Sequence, residues 1–243
     1  MDFYTELKNV KNLFVIGDVH GCYLEFESLV NRILKEKDPV IISVGDTVDR
    51  GDYNLKTLEL CFEMKEAGFF YEVQSNHNLK LYRWFSGKKV NVSRGLEKTV
   101  REIMNLPVEE RFELRQRYME YYRSLPLYIL VNGSVVVAHA GIKDEMIGKT
   151  DKKVRDFVIY GQTTGRYTPE GFPERVDWTK DRMVDENSPK IVYGHVVFPE
   201  PYINNRCYGI DTGCVLGNRL TAYNPFTDEF IFEKARRVYF SFD

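Results

Sequence analysis

Residues 12–21, NLFVIGDVHG, begin as an apolar run and end with Asp18 and His20. The run has the length and composition of a buried β-strand. Side chains that are two residues apart on an extended chain point to the same side. The carboxylate of Asp18 and the imidazole of His20 therefore point in one direction. One such pair is weak support for a site, because Asp and His often bond loop backbone. The question is whether other segments send ligands to the same place.

The first 75 residues repeat this pattern. Residues 39–44 (PVIISV) and 69–73 are further apolar strands, and the second strand is followed by Gly45 and Asp46. Between the strands, apolar residues recur at helical spacing up to about residue 34 and over residues 53–67. The order βαβαβ predicts parallel strands with crossover helices. Ligands bind such sheets at the carboxyl ends of the strands, where Asp18, His20 and Asp46 lie.

The rest of the chain differs from the first 75 residues in its predicted secondary structure. Residues 95–124 are charged and helical, whereas the chain after Pro126 is rich in β-formers, with a hairpin signal at Asn132-Gly133. The segments KIVYGHV, CYGIDTG, NRLTAYN and EFIFEKA are predicted strands, and residues 160–185 are predicted to be loop. We predict one α/β domain over residues 1–243. It is a two-sheet β-sandwich flanked by helices, with a helical insertion at about residues 95–125.

Composition narrows the functional classes. The 243 residues are 43% hydrophobic and carry a formal net charge of −2, so no basic excess predicts a stable nucleic-acid partner. Apolar runs are strand-length, and the first residues lack a secretory h-region, so we expect a cytoplasmic protein without a membrane partner. The four cysteines form no C-x-x-C pair and are predicted to be reduced and buried.

The chain has four histidines, and each follows an apolar run: His20, His77, His139 and His195. Acids follow the same rule, in GDTVDRG (residues 45–51) and in IDTG (residues 210–213). Imidazole nitrogen and carboxylate oxygen without thiolate suit divalent first-row metals. The candidate ligands are too many for one ion and fit two ions about 3.5–4 Å apart that share a carboxylate. They are Asp18, His20, Asp46, Asn76, His139 and His195.

These residues resemble a known family. GDVHG, GDTVDRG and Asn76-His77 are similar to GDxHG, GDxxDRG and GNHE of the phosphoprotein-phosphatase branch of the metallophosphoesterases. The third motif departs, because Ser75 replaces Gly and Asn78 replaces Glu. Segments over residues 12–224 are similar to bacterial bis(5′-nucleosyl)-tetraphosphatase-like phosphatases. The phosphatase domain of bacterial polynucleotide kinase-phosphatase shares the later motifs.

The resemblance implies a calcineurin-like fold and a two-metal centre, with manganese as the leading metal and iron, nickel or zinc as alternatives. It assigns Asp18 and His20 to the first ion, Asp46 to both, and three further ligands to the second ion: Asn76, His139 and His195. It also implies that a metal-bound hydroxide attacks phosphorus in line, without a phosphoenzyme.

The resemblance assigns roles to further residues. His77 donates a proton to the leaving group, Asp49 orients it, and Arg50 binds phosphate. A second phosphate-binding arginine is expected at Arg175, with Arg166 and Arg182 as alternatives. Asp211 is expected to orient a ligand or a backbone amide.

The expected substrate is nucleotidic, such as a dinucleoside tetraphosphate. A phosphoserine or phosphothreonine protein is the alternative, and a polynucleotide 3′-phosphate or 2′,3′-cyclic phosphate comes third. An inactive phosphate-binding relative is the non-enzyme alternative, because a positive φ at Ser75 would be strained. The basic residues of 80–94 either form a solvated face or bind distal phosphates: Lys80, Arg83, Lys88, Lys89 and Arg94. The oligomeric state is left open.

Overall fold

A computed structural model describes residues 2–169, 171 and 173–241 of the chain. The helices of this part are α1 (Tyr23–Ile33), α2 (Asn54–Glu66), α3 (Asn76–Phe85), α4 (Leu96–Met104), α5 (Val108–Arg123) and α6 (Lys152–Tyr160). The strands are β1 (Thr5–Leu7), β2 (Leu13–Ile16), β3 (Val40–Ser43), β4 (Phe70–Glu72), β5 (Tyr128–Val131), β6 (Val135–Ala138), β7 (Thr163–Tyr167), β8 (Pro173–Arg175), β9 (Lys190–Tyr193), β10 (Tyr202–Asn204), β11 (Cys207–Gly209), β12 (Arg219–Asn224) and β13 (Glu229–Lys234).

Two large sheets are built from these strands. One has the order β13-β12-β2-β3-β4, and its last three strands are parallel, as the βαβαβ pattern predicts. The other has the order β1-β5-β6-β9-β11-β10. In the second sheet β5 and β6 form the predicted antiparallel hairpin, and β9 pairs in parallel with both β6 and β11.

Strand alternation explains how the sheets pack. In β2, Leu13 and Val15 face the second sheet and join a core with Ile129, Val137 and other residues of that sheet. The outward residues of β2, Phe14 and Ile16, pack with the first sheet's helices. Helix α6 covers the outer face of the second sheet in a third core. The architecture is therefore a β-sandwich flanked by helices, which confirms the predicted fold class.

The predicted strands and helices are present near their predicted bounds, but the structure also contains elements that were not predicted, including α3 and α6. Residues 160–185 were predicted to be loop, but β7 and β8 form an antiparallel ribbon there. Every described residue of β7 is exposed, so its sequence shows none of the apolar alternation from which a strand is predicted. The short edge strands β1 and β10 were not predicted either, because three residues carry too little pattern.

Helices α4 and α5 lie in the charged segment for which helices were predicted. That this segment is an insertion, and that residues 1–243 form one domain, remain predictions. Among the described residues, no helix is both long and apolar enough to cross a membrane.

Candidate metal centre and active site

The loops that follow the strands bring the predicted site residues together at one edge of the sandwich. Five of these residues have a positive φ although they are not glycine: His20, Asp46, Asp49, Arg50 and His195. This backbone region costs a non-glycine residue about 1–3 kcal/mol, and such strain concentrates at functional sites. In these loops the polar side chains of His20, Asp46 and Asp49 are buried and not exposed to solvent.

Asp46 belongs to two clusters of potential metal ligands. One cluster contains His20, Asp46 and His77, and the other contains Asp46, His139 and His195, with the ligand atoms of each cluster within 4.8 Å of one another. The Asp46 Oδ2 atom lies 3.7 Å from His20 Nε2 and 3.5 Å from His139 Nε2. One carboxylate thus stands between two groups of imidazoles.

Backbone carbonyls orient two of these imidazoles. His20 Nδ1 donates to the Val48 carbonyl at 2.8 Å, and His139 Nδ1 donates to the Val44 carbonyl at 2.9 Å. In each neutral ring Nε2 therefore carries the lone pair, which is the usual arrangement of a metal-binding histidine. Burial lowers the pKa of both rings, which favours this neutral form.

The second cluster brings the imidazole rings of His139 and His195 and the amide oxygen of Asn76 close together. His139 Nε2 lies 2.8 Å from Asn76 Oδ1 and 2.9 Å from His195 Nδ1. The other ring nitrogen of His195, Nε2, is buried and has no hydrogen-bond partner among the described residues. Lone pairs that converge in this way are stabilised by a cation, so the donor set fits a divalent metal ion.

Asp18 belongs to neither of these clusters but contacts the backbone of His195. The Asp18 carboxylate accepts a hydrogen bond from the His195 amide, with the two oxygens at 3.1 and 3.2 Å. Burial raises the pKa of Asp18 well above its ordinary value, and the nearby carboxylates of Asp211 and Asp46 raise it further. Burial also raises the pKa of Asp211 to about 6. A cation beside these buried acids would relieve their mutual repulsion.

His77 is the second residue of helix α3 and is held by a buried acid. Its Nδ1 donates to Asp49 Oδ2 at 2.7 Å, and the other oxygen of Asp49 accepts from the Thr99 hydroxyl at 2.6 Å. The His77 amide also donates to Asp46 Oδ1 at 2.9 Å. Thr99 was missed from the sequence, because nothing in the charged pattern of α4 distinguishes this threonine from the residues around it.

Helix α4 is tied to the same loops at two other points. The Gly95 carbonyl accepts from the Arg50 amide at 3.2 Å, and a side chain at Gly95 would collide with Arg50. The Glu102 carboxylate accepts from the amides of Asn54 and Leu55, at 2.9 and 3.0 Å. Glu102 thus satisfies the first amides of α2, and the helical segment supports the site.

The two departures from the family motif have a structural explanation. Ser75 has φ −140° and ψ 167°, which is extended backbone, so the positive φ considered for it is absent. Its hydroxyl accepts a hydrogen bond from the Asp46 amide at 2.8 Å. Asn78 donates to Glu72 at 2.9 Å and to the Thr47 hydroxyl at 3.0 Å. The family motif has a glutamate at the position of Asn78. Here the Glu72 carboxylate lies within hydrogen-bond distance of Asn78 instead.

The four candidate arginines are placed differently. Arg50 and Arg175 line one cleft together with Asp46 and His77. Arg166 pairs with Glu174 at 2.8 Å, and Arg182 is a buried structural residue that binds Asp144 and two backbone carbonyls. Of the three later candidate arginines, Arg175 lines the described cleft, and Arg166 and Arg182 do not.

The cleft extends well beyond the acids and imidazoles. Its volume is about 770 Å³, and four more cations line it: Lys80, Arg83, Lys89 and Arg94. Burial lowers the pKa of the Lys80 amine, and repulsion from Arg94 and Arg50 contributes to the shift. A cavity of this size, with a polar centre and a cationic wall, suits an extended anion.

The chain is similar to known proteins over most of its length. The profile of the calcineurin-like phosphoesterase family matches residues 11–225. The bis(5′-nucleosyl)-tetraphosphatase PrpE [asymmetrical] of Geobacillus sp. (strain WCH70) is 43% identical, over 86% of this chain and 88% of the relative. The protein of the same name from Oceanobacillus iheyensis is 39% identical, over 93% of each chain.

Solved structures share the fold. The crystal structure of a candidate diadenosine tetraphosphatase has a TM-score of 0.71 at 22% identity, covering 97% of this chain and 99% of that one. A serine/threonine phosphatase from Saccharomyces cerevisiae has a TM-score of 0.58 at 16% identity, covering 96% of this chain and 83% of that one. Metallophosphoesterases are hydrolases that bind divalent metals, and His and Asp groups able to hold a metal are present here. The chain belongs to the calcineurin-like phosphoesterase family.

Proposed function

We propose that the protein is a two-metal hydrolase that cleaves dinucleoside polyphosphates, such as a dinucleoside tetraphosphate, at a phosphoanhydride bond. The names of the relatives support this substrate class. The main support for the proposal is the row of cations that lines the cleft, which we call the cationic wall: Lys80, Arg83, Lys89 and Arg94. A single phosphoryl group can be bound by Arg50 and Arg175 beside the acidic centre. The four further cations suit additional phosphates.

The spacing along helix α3 supports an extended substrate. Lys80 and Arg83 follow His77 at intervals of three residues, each about 4.5 Å further along the helix axis. Phosphates of a chain that starts at His77 can therefore meet successive cations. A phosphoserine or phosphothreonine substrate has no second phosphate to use them.

The proposed metal ligands are those expected from the motifs. Asp18 and His20 would hold one ion, Asp46 would contact both, and Asn76, His139 and His195 would hold the other. When bound, the two ions act as Lewis acids on phosphate oxygens and lower the pKa of bound water. Asn76 contributes an oxygen without charge, so the centre keeps a net positive charge that attracts phosphate.

His77 would act as the general acid. Because its Nδ1 donates to Asp49, Nε2 is the nitrogen placed to give a proton to the leaving oxygen. Hydrolysis forms a bond between phosphorus and an oxygen from water and breaks the bond between phosphorus and the bridging oxygen, which takes the electron pair and the proton. Arg50 and Arg175 would hold the non-bridging oxygens, which suits planar guanidinium groups. Asp211 would orient the loop after β11, where it accepts from the Gly213 amide at 3.0 Å.

A substrate panel tests the proposed activity. The full chain, loaded with Mn²⁺, is incubated with diadenosine tetraphosphate, with a phosphoserine peptide and with p-nitrophenyl phosphate, and the products are separated. We expect the highest kcat/KM for the dinucleotide, with a nucleoside mono- and triphosphate as products. A higher kcat/KM for the phosphopeptide would instead assign the protein as a serine/threonine phosphatase.

The cationic wall gives a second test. The double variant Lys80→Gln/Arg83→Gln should raise KM for diadenosine tetraphosphate about 10-fold, or about 1.4 kcal/mol, because two charged contacts with distal phosphates are lost. Turnover of p-nitrophenyl phosphate should stay within about twofold, since it has no distal phosphate. Lys88→Gln is the matched control, because Lys88 does not line the described cleft. Equal losses on both substrates would contradict the assignment of these residues.

A further inference from the structure

A second cavity adjoins the proposed active site. It has a volume of about 190 Å³, and four aromatic rings line it: Trp178, Tyr193, Phe198 and Tyr202. Such a cavity is smaller than the ~300–1,000 Å³ of pockets that enclose a whole drug-sized ligand. Its size suits a single ring system. We call it the aromatic pocket.

The aromatic pocket and the cationic cleft share three lining residues, Arg175, His195 and Val196. The two cavities therefore meet at a proposed metal ligand and at the later arginine. Lys80 and Arg83 line only the cleft, whereas the four rings line only the pocket. A ligand that is anionic in one part and aromatic in another can occupy both cavities at once.

The walls of the aromatic pocket are fixed by packing. Trp178 and Tyr193 are 7% and 3% exposed, and their ring centroids are 5.5 Å apart. Phe198 stacks on Tyr202 with centroids 4.7 Å apart and an interplanar angle of 11°. Both of these rings are partly exposed, so they can receive a further ring. A flat aromatic ligand gains binding free energy by stacking on such rings, and the gain depends little on which base it carries.

Apart from the proposed metal ligand His195, the described lining of the pocket contains a further polar group without a partner, in Gln162. The side-chain oxygen of Gln162 is buried and has no hydrogen-bond partner among the described residues. Asp177, by contrast, already accepts from the hydroxyls of Tyr202 and Thr179, at 2.8 and 2.6 Å. A glutamine amide both donates and accepts, which matches the paired donor and acceptor on the edge of a nucleobase.

We propose that the aromatic pocket binds a nucleobase of the substrate, the one whose phosphate lies at the metal centre, while the rest of the phosphate chain occupies the cationic cleft. This assignment rests on the proposed function. It makes the stacked rings and Gln162 determinants of specificity that act on the base, separately from the groups that act on phosphate.

Tryptophan fluorescence can report on this pocket directly. The chain has two tryptophans, so Trp84→Phe leaves Trp178 as the single reporter. In this background, with Mn²⁺ bound, we expect AMP to change the emission saturably. Phe198→Leu should weaken AMP binding roughly 5- to 100-fold through loss of stacking, and Gln162→Leu about 2- to 12-fold through loss of one hydrogen bond. Phe226→Leu, at an exposed ring that lines neither cavity, is the control and should bind AMP like the parent.

Tripolyphosphate, which carries no base, separates this inference from the proposed function. Its binding, measured by calorimetry, should be unchanged by Phe198→Leu and Gln162→Leu, provided that thermal melting shows both variants folded. Unchanged AMP affinity in both variants would overturn the base assignment, even if the protein cleaves diadenosine tetraphosphate. Weakened AMP binding with intact tripolyphosphate binding would support the pocket, even if the substrate panel rejects the dinucleotide.

Discussion

Asp46→Asn is expected to lower kcat for diadenosine tetraphosphate by about 10³-fold or more, because several kcal/mol of transition-state stabilisation depend on the two cations. Asp46 is the one residue common to both ligand clusters. Asparagine keeps the size of the side chain but removes its charge. Both proposed ions therefore lose the charged carboxylate that they share, and a neutral amide, with a single oxygen, is a poor replacement between two cations, while the fold should persist.

Asp52, six residues after Asp46, provides a control. Asp52 forms ion pairs with Lys98 and Arg237 at the surface and belongs to neither ligand cluster. Asp52→Asn should keep kcat within about twofold of the parent, since surface ion pairs contribute little. Steady-state kinetics at saturating Mn²⁺ compares the two variants. A kcat for Asp46→Asn within tenfold of the parent would contradict a shared carboxylate.

His77→Asn is expected to lower kcat by about 10²–10⁴-fold on a substrate with a poor leaving group, because the general acid is lost. Phenyl phosphate is such a substrate, since a phenol like that of tyrosine has a pKa of about 10. The more acidic p-nitrophenol leaves without much help from a proton. The loss on p-nitrophenyl phosphate should therefore be clearly smaller.

The ratio of the two losses distinguishes an acid from a merely structural histidine. Removal of a structural group would disturb both phosphate esters alike, because the metal centre and the arginines serve both. Parallel measurements of kcat on the two esters, with the parent and with His77→Asn, give this ratio. Equal factors on both esters would remove His77 from the role of proton donor.

Much of this site was predictable because its residues follow buried strands. The apolar runs before Asp18, Asp46, His139 and His195 predict strands, and the polar residue after each run marks the edge where they meet. The parallel pairing of β2, β3 and β4 follows from the same pattern. The strand β2 is apolar at all four positions because both of its faces are buried, with Leu13 and Val15 in one core and Phe14 and Ile16 in another.

Other features depend on tertiary contacts that leave no local pattern. Thr99 meets Asp49 across 50 residues, and Glu102 satisfies amides of α2 from a helix whose sequence is merely charged and amphipathic. Ser75 looked like a source of strain, because the family motif has glycine there, but its extended backbone and its bond to the Asp46 amide became visible only in the structure. The β7–β8 ribbon, which carries Arg175, is too exposed to show strand alternation.

The number of metal ions bound per chain bears most directly on the two-cation centre. The purified full chain is loaded with Mn²⁺, separated from unbound metal by gel filtration, and analysed for metal and protein by mass spectrometry and absorbance. Six proposed ligands, one of which is the Asp46 carboxylate common to both clusters, predict two ions per chain. A result of one ion or none, from protein that melts cooperatively, would contradict the two-metal centre.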